Sequence, residues 1–363
     1  MTLWRYILRG FLRALLGVFA VIALVVLLFM GVENLRRFGD VASFGEVGAV
    51  TLLEAPQLLY QVFPLTLLLA SLVTFLRFAR TSELVVMRAA GISALRLIGI
   101  PVVAAVVLGG VFIVAVNPFV AATIKRGDAT ADGFRDDGGS ALSFAGDGVW
   151  LRQADGSGQT VIQAVRTNPG GTVLSGVRMH QFDIEGRLFS RIDAPEVRLM
   201  RGAWVFDSAS RWILDAEGRF ERTLDGGRFT LATNLTSEQI LESFAPPETV
   251  GFWNLRTFIG QMEDAGFSAL RHRLFLQSEF AKPALFAAMV MIGAAFALRP
   301  ARFGQTGVMI LLAVLAGFSL YFLKDFSESL GARGQIPLSV AAWTPPLAAI
   351  LLALSLLLHL EDG

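Results

Sequence analysis

The chain has 363 residues, of which 54% are apolar and 17% charged, with 31 Lys and Arg against 30 Asp and Glu. A soluble domain is about 45–50% apolar and about 25% charged, so this balance, with a mean hydropathy of +0.59, points to a membrane protein. A formal net charge of +1 gives no global field for nucleic acid, and the lack of cysteine excludes a disulfide framework and thiolate chemistry.

From the N-terminus, Arg5, Arg9 and Arg13 precede the apolar run Leu15–Val32. That run exceeds the roughly 7–15 residues of a signal-peptide core. Glu33-Asn34-Leu35-Arg36-Arg37 follows it instead of a cleavage site, so the expectation is an uncleaved first transmembrane helix. Crossing the hydrocarbon core takes about 20 apolar residues. The runs Ala55–Leu76, Leu97–Val120, Pro283–Leu298, Phe303–Leu323 and Ile336–Leu358 supply five further candidate spans. The fourth span is short, which puts Lys282 at a boundary, snorkelling, or facing a cavity. Pro64, Pro101 and Pro283 do not veto helices, because neighbours satisfy the freed carbonyls.

Basic residues in short loops set orientation. Arg77, Arg80, Arg88 and Arg96 lie between the second and third spans, and Arg299 and Arg302 between the fourth and fifth. The opposite side's short loops hold only Arg36, Arg37, Lys324 and Arg333, so both termini are expected in the cytoplasm.

From Thr123 to Arg271 the chain is polar and rich in glycine. Turn signals occur at Asp155-Gly156, Pro169-Gly170-Gly171, Glu185-Gly186, Arg201-Gly202, Glu217-Gly218 and Asp225-Gly226-Gly227. Strand-like runs lie between them at Val173–Ile184, Leu188–Met200, Ala203–Leu214 and Arg228–Leu235. Regular strands and turns predict a β-sandwich or jelly roll, outside the cytoplasm because it follows the third span. The expected interior residues are Val177, Phe182, Leu199, Trp204, Phe206, Phe229 and Leu231, either a closed core or an accessible apolar lining. Phe252–Glu263 then reads as an amphipathic surface helix with Phe252, Leu255, Phe258, Ile259 and Met262 on one face.

The fold class is therefore membrane α-helical, with six transmembrane helices and an inserted all-β, jelly-roll-like domain. The expected domains are 1–122 (spans one to three, with a short cytoplasmic helix at about 81–91), 123–250 (β), 251–271 (amphipathic connection) and 272–363 (spans four to six).

No G-x-x-x-x-G-K-[ST] loop, G-x-S-x-G elbow or H-E-x-x-H pair occurs. His180, His272 and His359 are too scattered to suggest a metal site. No acidic residue falls inside the predicted spans, which argues against an intramembrane proton relay. In Phe78–Ser93, Ser82 or Thr81 can cap a helix starting at Glu83, and Gly91 can end it. With Leu84, Val85, Met87 and Arg88, this helix suits docking into a partner's groove, or is simply a tight hairpin with solvated charges.

That stretch, R-T-S-E-L-V-V-M-R-A-A-G, resembles the coupling helix of the lipopolysaccharide export permease family LptF/LptG. Trp4–Leu12, Ala295–Ile310, Ala341–Pro346 and His359–Gly363 are similar to the family as well, the C-terminal stretches more to its LptG branch. The resemblance covers the whole chain. It implies a permease subunit, without covalent chemistry, cofactor or metal, of an ABC transporter that passes lipopolysaccharide from the inner membrane to a periplasmic bridge. The implied partners are an LptF-like permease, an LptB-like ATPase dimer, an LptC-like single-span protein and lipopolysaccharide. The implied ATPase-coupling residues are Ser82, Glu83, Leu84, Met87 and Arg88, with Glu83 facing the ATPase. Arg36 and Arg37 match a basic pair near the lipid headgroup, against the alternative of interfacial anchors with Glu33 paired to Arg37. Met30 stands where some members carry another basic residue. The LptF branch and, in another class, a membrane-anchored β-scaffold remain alternatives.

Overall fold

Hydropathy runs of this length leave the backbone one economical choice in lipid, which is to satisfy every N–H and C=O within a helix. The computed structural model describes residues 2–132, 143–145, 148–155, 158–167, 172–200, 202–214, 220–233, 246–264, 268–298 and 306–362. Among them are six helices long and apolar enough to cross a membrane. The chain divides into two compact units, one of Met1–Phe134, Gly251–Trp253 and Arg273–Gly363, the other of Arg135–Val250 and Asn254–His272.

In the helical unit, α1 (Thr2–Phe38) and α2 (Phe44–Arg80) form a long hairpin. The short α3 (Glu83–Ala89) leads into α4 (Ala94–Val111), a π-helical turn (Phe112–Val116) and α5 (Asn117–Asp132). After the inserted unit and α6 (Phe252–Asp264) come α7 (Leu270–Ala297), α8 (Thr306–Ala332) and α9 (Leu338–Asp362). Helices α1 and α2 have 37 residues each, about 55 Å at 1.5 Å per residue, well beyond a hydrocarbon core of about 30 Å. A capping box starts α2: the Ser43 backbone N–H donates to Glu46 Oε2 at 2.8 Å, and Ser43 Oγ accepts from the Glu46 N–H at 3.4 Å. Ser93 caps α4 by accepting from the Arg96 N–H.

Aromatic and small residues shape the helical core. Phe63 and Phe112 have ring centroids 4.1 Å apart, and Tyr60 and Phe286 complete the group. Close backbone approach needs glycine at two crossings. A Cβ on Gly109 of α4 would sit 2.5 Å from Pro283 Cα of α7, and one on Gly293 of α7 would sit 2.5 Å from the Leu68 carbonyl oxygen of α2. Pro118 has no N–H to donate to the Val114 carbonyl four residues back, and that carbonyl accepts from Trp253 Nε1 at 3.1 Å, while Asn117 Oδ1 accepts from the Phe252 N–H at 2.8 Å.

Among its described residues the other unit holds eight antiparallel strands: β1 (Ser143–Ala145), β2 (Gly148–Asp155), β3 (Gly158–Ala164), β4 (Arg166–Thr167), β5 (Val173–Phe182), β6 (Leu188–Met200), β7 (Ala203–Leu214) and β8 (Phe220–Ala232). Their order is β1-β2-β3-β5-β6-β7-β8, with β4 also on β5. Flat, such a sheet would hold β2 and β8 roughly 24 Å apart, five strand spacings. Instead Thr233, just past β8, donates through its hydroxyl to Gln153 Oε1 of β2 at 2.7 Å. The sheet curls until its ends meet, and one face closes into a core.

The curl has a sequence cause. Buried positions step by three, not two, at Leu174/Val177, Ala194/Val197 and Phe206/Ala209. Gly176 and Gly226 adopt φ +65° and +66° along that line. An extra residue per strand bends the sheet there and keeps both halves' apolar sides inward. The turn expected at Asp225-Gly226-Gly227 is thus a bulge inside β8, opposite the register shift in β7. The turn at Glu185-Gly186 is present, with Gly186 at φ +77°. The signals at Pro169-Gly170-Gly171 and Glu217-Gly218, and the basic residues Arg299 and Arg302, lie outside the described residues.

Candidate functional site

Helix α3 has only seven residues, so its orientation rests on which side chains it buries. Leu84 and Met87, three apart, are each 8% exposed and join the helical unit's core. Both side chains anchor the helix to that core. Val85 and Val86, at 66% and 68%, face outward with Arg88. The spacing carried this information, because positions 84 and 87 share one side of a helix and 85, 86 and 88 lie off it.

Glu83 is held rather than free. Tyr6 of α1 donates its hydroxyl to Glu83 Oε2 at 2.8 Å, and Thr81 donates to Glu83 Oε1 at 3.0 Å. The Tyr6 ring stacks on Phe78 with centroids 5.8 Å apart. Ser82 does not cap the helix: it sits at φ +58° with no side-chain capping bond. The left-handed turn is a strained conformation for serine and turns the chain sharply between α2 and α3. Gly91, at φ +78°, ends the segment as its position suggests.

At the other end of α1 the two arginines differ. Glu33 grips Arg36 with two hydrogen bonds, of 3.0 and 2.8 Å, so the expected Glu33–Arg37 pair is replaced by one with Arg36. Arg37 is exposed, its guanidinium 5.8 Å from the Phe38 ring centroid, with no ion-pair partner among the described residues.

Within the membrane-crossing helices lies a charged group that the sequence reading missed. Glu279 of α7 is 1% exposed. It accepts from Tyr60 of α2 at 2.6 Å and pairs with Lys282, whose Nζ lies 3.5 Å from the Tyr60 ring centroid. The expected absence of acidic residues from the spans is corrected, because α7 begins thirteen residues before Pro283, at Leu270. The Glu-x-x-Lys spacing was visible in the sequence; Tyr60, 219 positions from Glu279, was not.

In the β-unit, Val177, Trp204 and Phe206 are fully or nearly fully buried, while Leu199, Phe229 and Leu231 are half-buried. Leu199, Trp204 and Leu231 face one another across β6, β7 and β8, and Phe206 pairs with Phe229 at a centroid distance of 5.6 Å. Phe182 leaves this group, since it directly follows Gln181, which shares the buried side with Val177 and Met179, and so falls on the other side of the pleat. Trp204 Nε1 has no hydrogen-bond partner among the described residues. Burial and the nearby Arg191 and Arg178 hold His180 below its ordinary pKa.

Among the described residues, six helices able to cross a membrane accompany an inserted antiparallel sheet and a short helix, α3, that exposes Val85 and Val86. The sequence profile of the lipopolysaccharide export system permease LptF/LptG matches residues 5–359. The chain belongs to this family. It is similar to the lipopolysaccharide export system permease protein LptG of Escherichia coli (strain K12), at 27% identity over 340 residues and 90% of each chain. It is also similar to the LptG of Haemophilus influenzae, at 23% identity over 371 residues and 99% of each chain. The permease is a multi-pass membrane protein, and the family match takes in α3 and extends from residue 5 to residue 359.

Proposed function

We propose that this chain is the LptG-type permease subunit of an ABC transporter that extracts lipopolysaccharide from the inner membrane and hands it to a periplasmic bridge. It pairs with an LptF-like permease and an LptC-like single-span protein, and an LptB-like ATPase dimer supplies the energy. Both termini and α3 lie in the cytoplasm and the β-unit in the periplasm. The observation that carries the reading is α3: Leu84 and Met87 fasten it to the core while Val85, Val86 and Arg88 are presented outward. An apolar pair beside a fixed carboxylate, Glu83, is what a partner's groove can grip. At the far end of α1, Arg37 is the arginine available to a phosphorylated headgroup through charge-assisted hydrogen bonds. The test is co-expression with the partner subunits and purification on a tag carried by the ATPase. Val85→Asp with Val86→Asp is expected to lose the permease from that complex while the membrane fraction still contains it. Full recovery with normal lipid release would reject the docking role of α3.

A further inference from the structure

Helix α1 packs on α2 through a surface that does not define its own roll. Ile7, Phe11, Leu15 and Val26 are buried, yet Val21, Leu24, Val25, Leu28, Phe29 and Val32 on other sides of the same helix are equally apolar and exposed. In lipid there is no hydrophobic penalty for exchanging one such face for another, so rotation or axial slip of α1 is only weakly resisted by its apolar contacts.

The directional contacts are polar: Tyr6 holds the exposed N-terminal end of α1 to Glu83, and Asn34 holds the buried far end. Asn34 is 1% exposed, and its Nδ2 donates both to Thr51 Oγ1 at 3.2 Å and to Glu54 Oε2 at 2.9 Å. The Thr51 hydroxyl in turn donates to the Val47 carbonyl at 2.9 Å, so it is oriented to accept from Asn34. Thr51 and Glu54 lie one turn apart on α2. We propose that Asn34 is the register key of the α1–α2 pair and the positioning residue for Arg37. A single buried amide with two fixed acceptors is satisfied in one register and unsatisfied in every other, which is how a lone asparagine selects the alignment of otherwise degenerate helices. Arg37 follows Asn34 by three residues. It therefore projects within about 60° of the α1–α2 seam, and Arg36 points nearly away from it. The part concerning Arg37 rests on the headgroup reading above; the register key does not.

The absence of cysteine makes the test clean. Phe19 of α1 and Phe63 of α2 face each other, with centroids 6.1 Å apart. In the full transporter, Phe63→Cys is paired with Phe19→Cys, or with Val18→Cys or Ala20→Cys, which report a roll of one residue either way. With Asn34 in place, oxidation is expected to link 19 to 63 and to leave 18 and 20 unlinked. With Asn34→Leu, the off-register yields are expected to rise about threefold to tenfold, the range set by losing one interhelical hydrogen bond in a membrane. Glu54→Gln, which keeps an acceptor, is expected to retain the original pattern, and Thr51→Val to broaden it should Asn34→Leu fail to accumulate. An unchanged pattern in both Asn34→Leu and Thr51→Val overturns the key. Lipid retained per complex is read in parallel: a broadened pattern with undiminished lipid upholds the key and overturns only the headgroup role of Arg37.

Discussion

At the residue scale the chain separates side chains that hold elements in place from those presented to something else. Leu84 and Met87 hold α3, so Leu84→Ala is expected to cost about 2–3 kcal/mol of stability through the cavity it leaves. Glu83→Ala removes a carboxylate bonded to Tyr6 and Thr81 on an exposed stretch, and is expected to leave melting almost unchanged while weakening recovery with the ATPase. Melting temperature and co-purification, measured side by side, distinguish these two kinds of residue. The same contrast divides Arg36 from Arg37. Arg36 is engaged with Glu33, so Arg37→Gln is expected to lower the lipid retained per purified complex more than Arg36→Gln does. Equal losses would assign the pair a shared role, and early melting without lipid loss would make both anchors. The sequence showed that an acidic residue opens α3 and that two arginines close α1. It did not show their partners, because Tyr6 is 77 positions from Glu83 and the i,i+3 and i,i+4 pairings of Glu33 are alike on paper.

At the element scale, spans and strands were legible because each writes its own period. The ranges Leu188–Met200 and Ala203–Leu214 are those of β6 and β7, and each of the six spans overlaps an observed helix, with Leu298, Ile336 and Pro337 among the described residues falling just outside. What did not show was anything set by two elements at once. Gly226 reads as a turn and is a bulge, since the bend is a property of four neighbouring strands. Gly109 reads as one more apolar position and is a crossing point. There a Cβ would meet backbone atoms of Pro283, which cannot swing aside, so Gly109→Ala is expected to force α4 and α7 apart and cost about 1–3 kcal/mol. A lower melting temperature in detergent is the readout, and an unchanged one would mean that the two helices yield at this crossing without cost. In β5, His180 has a depressed pKa, so below its ordinary value near 6.5 the unfolded chain takes up a proton before the folded one does. The β-unit is therefore expected to lose stability as pH falls below about 6.5, with the loss levelling off beneath the folded pKa, and His180→Gln to flatten that slope.

At the scale of the whole molecule, an apolar helical unit and a polar curled sheet are joined in one chain, and their division was visible as a change in composition. The state of the sheet's interior was not, because the same Val177, Trp204 and Phe206 serve equally as a lining or a core. As described they are a core, and Trp204 buries an indole N–H that lacks a partner among the described residues, at a cost of about 1–3 kcal/mol. A closed roll of this kind passes lipid only by opening, and β2 and β8, joined at a seam through the side chains of Gln153 and Thr233, share no strand pairing among the described residues. The half-buried Leu199, Phe229 and Leu231 would then receive acyl chains first. Photo-crosslinkers at Leu199 and Leu231 are expected to capture lipid during ATP turnover more strongly than one at Val177. Gln153→Cys with Thr233→Cys, joined by a short bifunctional thiol reagent in a chain with no other cysteine, pins the seam. Pinning is expected to suppress both the capture and the export of lipid while leaving the sheet's melting temperature unchanged or higher. Transport that proceeds undiminished through a pinned seam would show that the sheet stays closed and that lipid travels outside it.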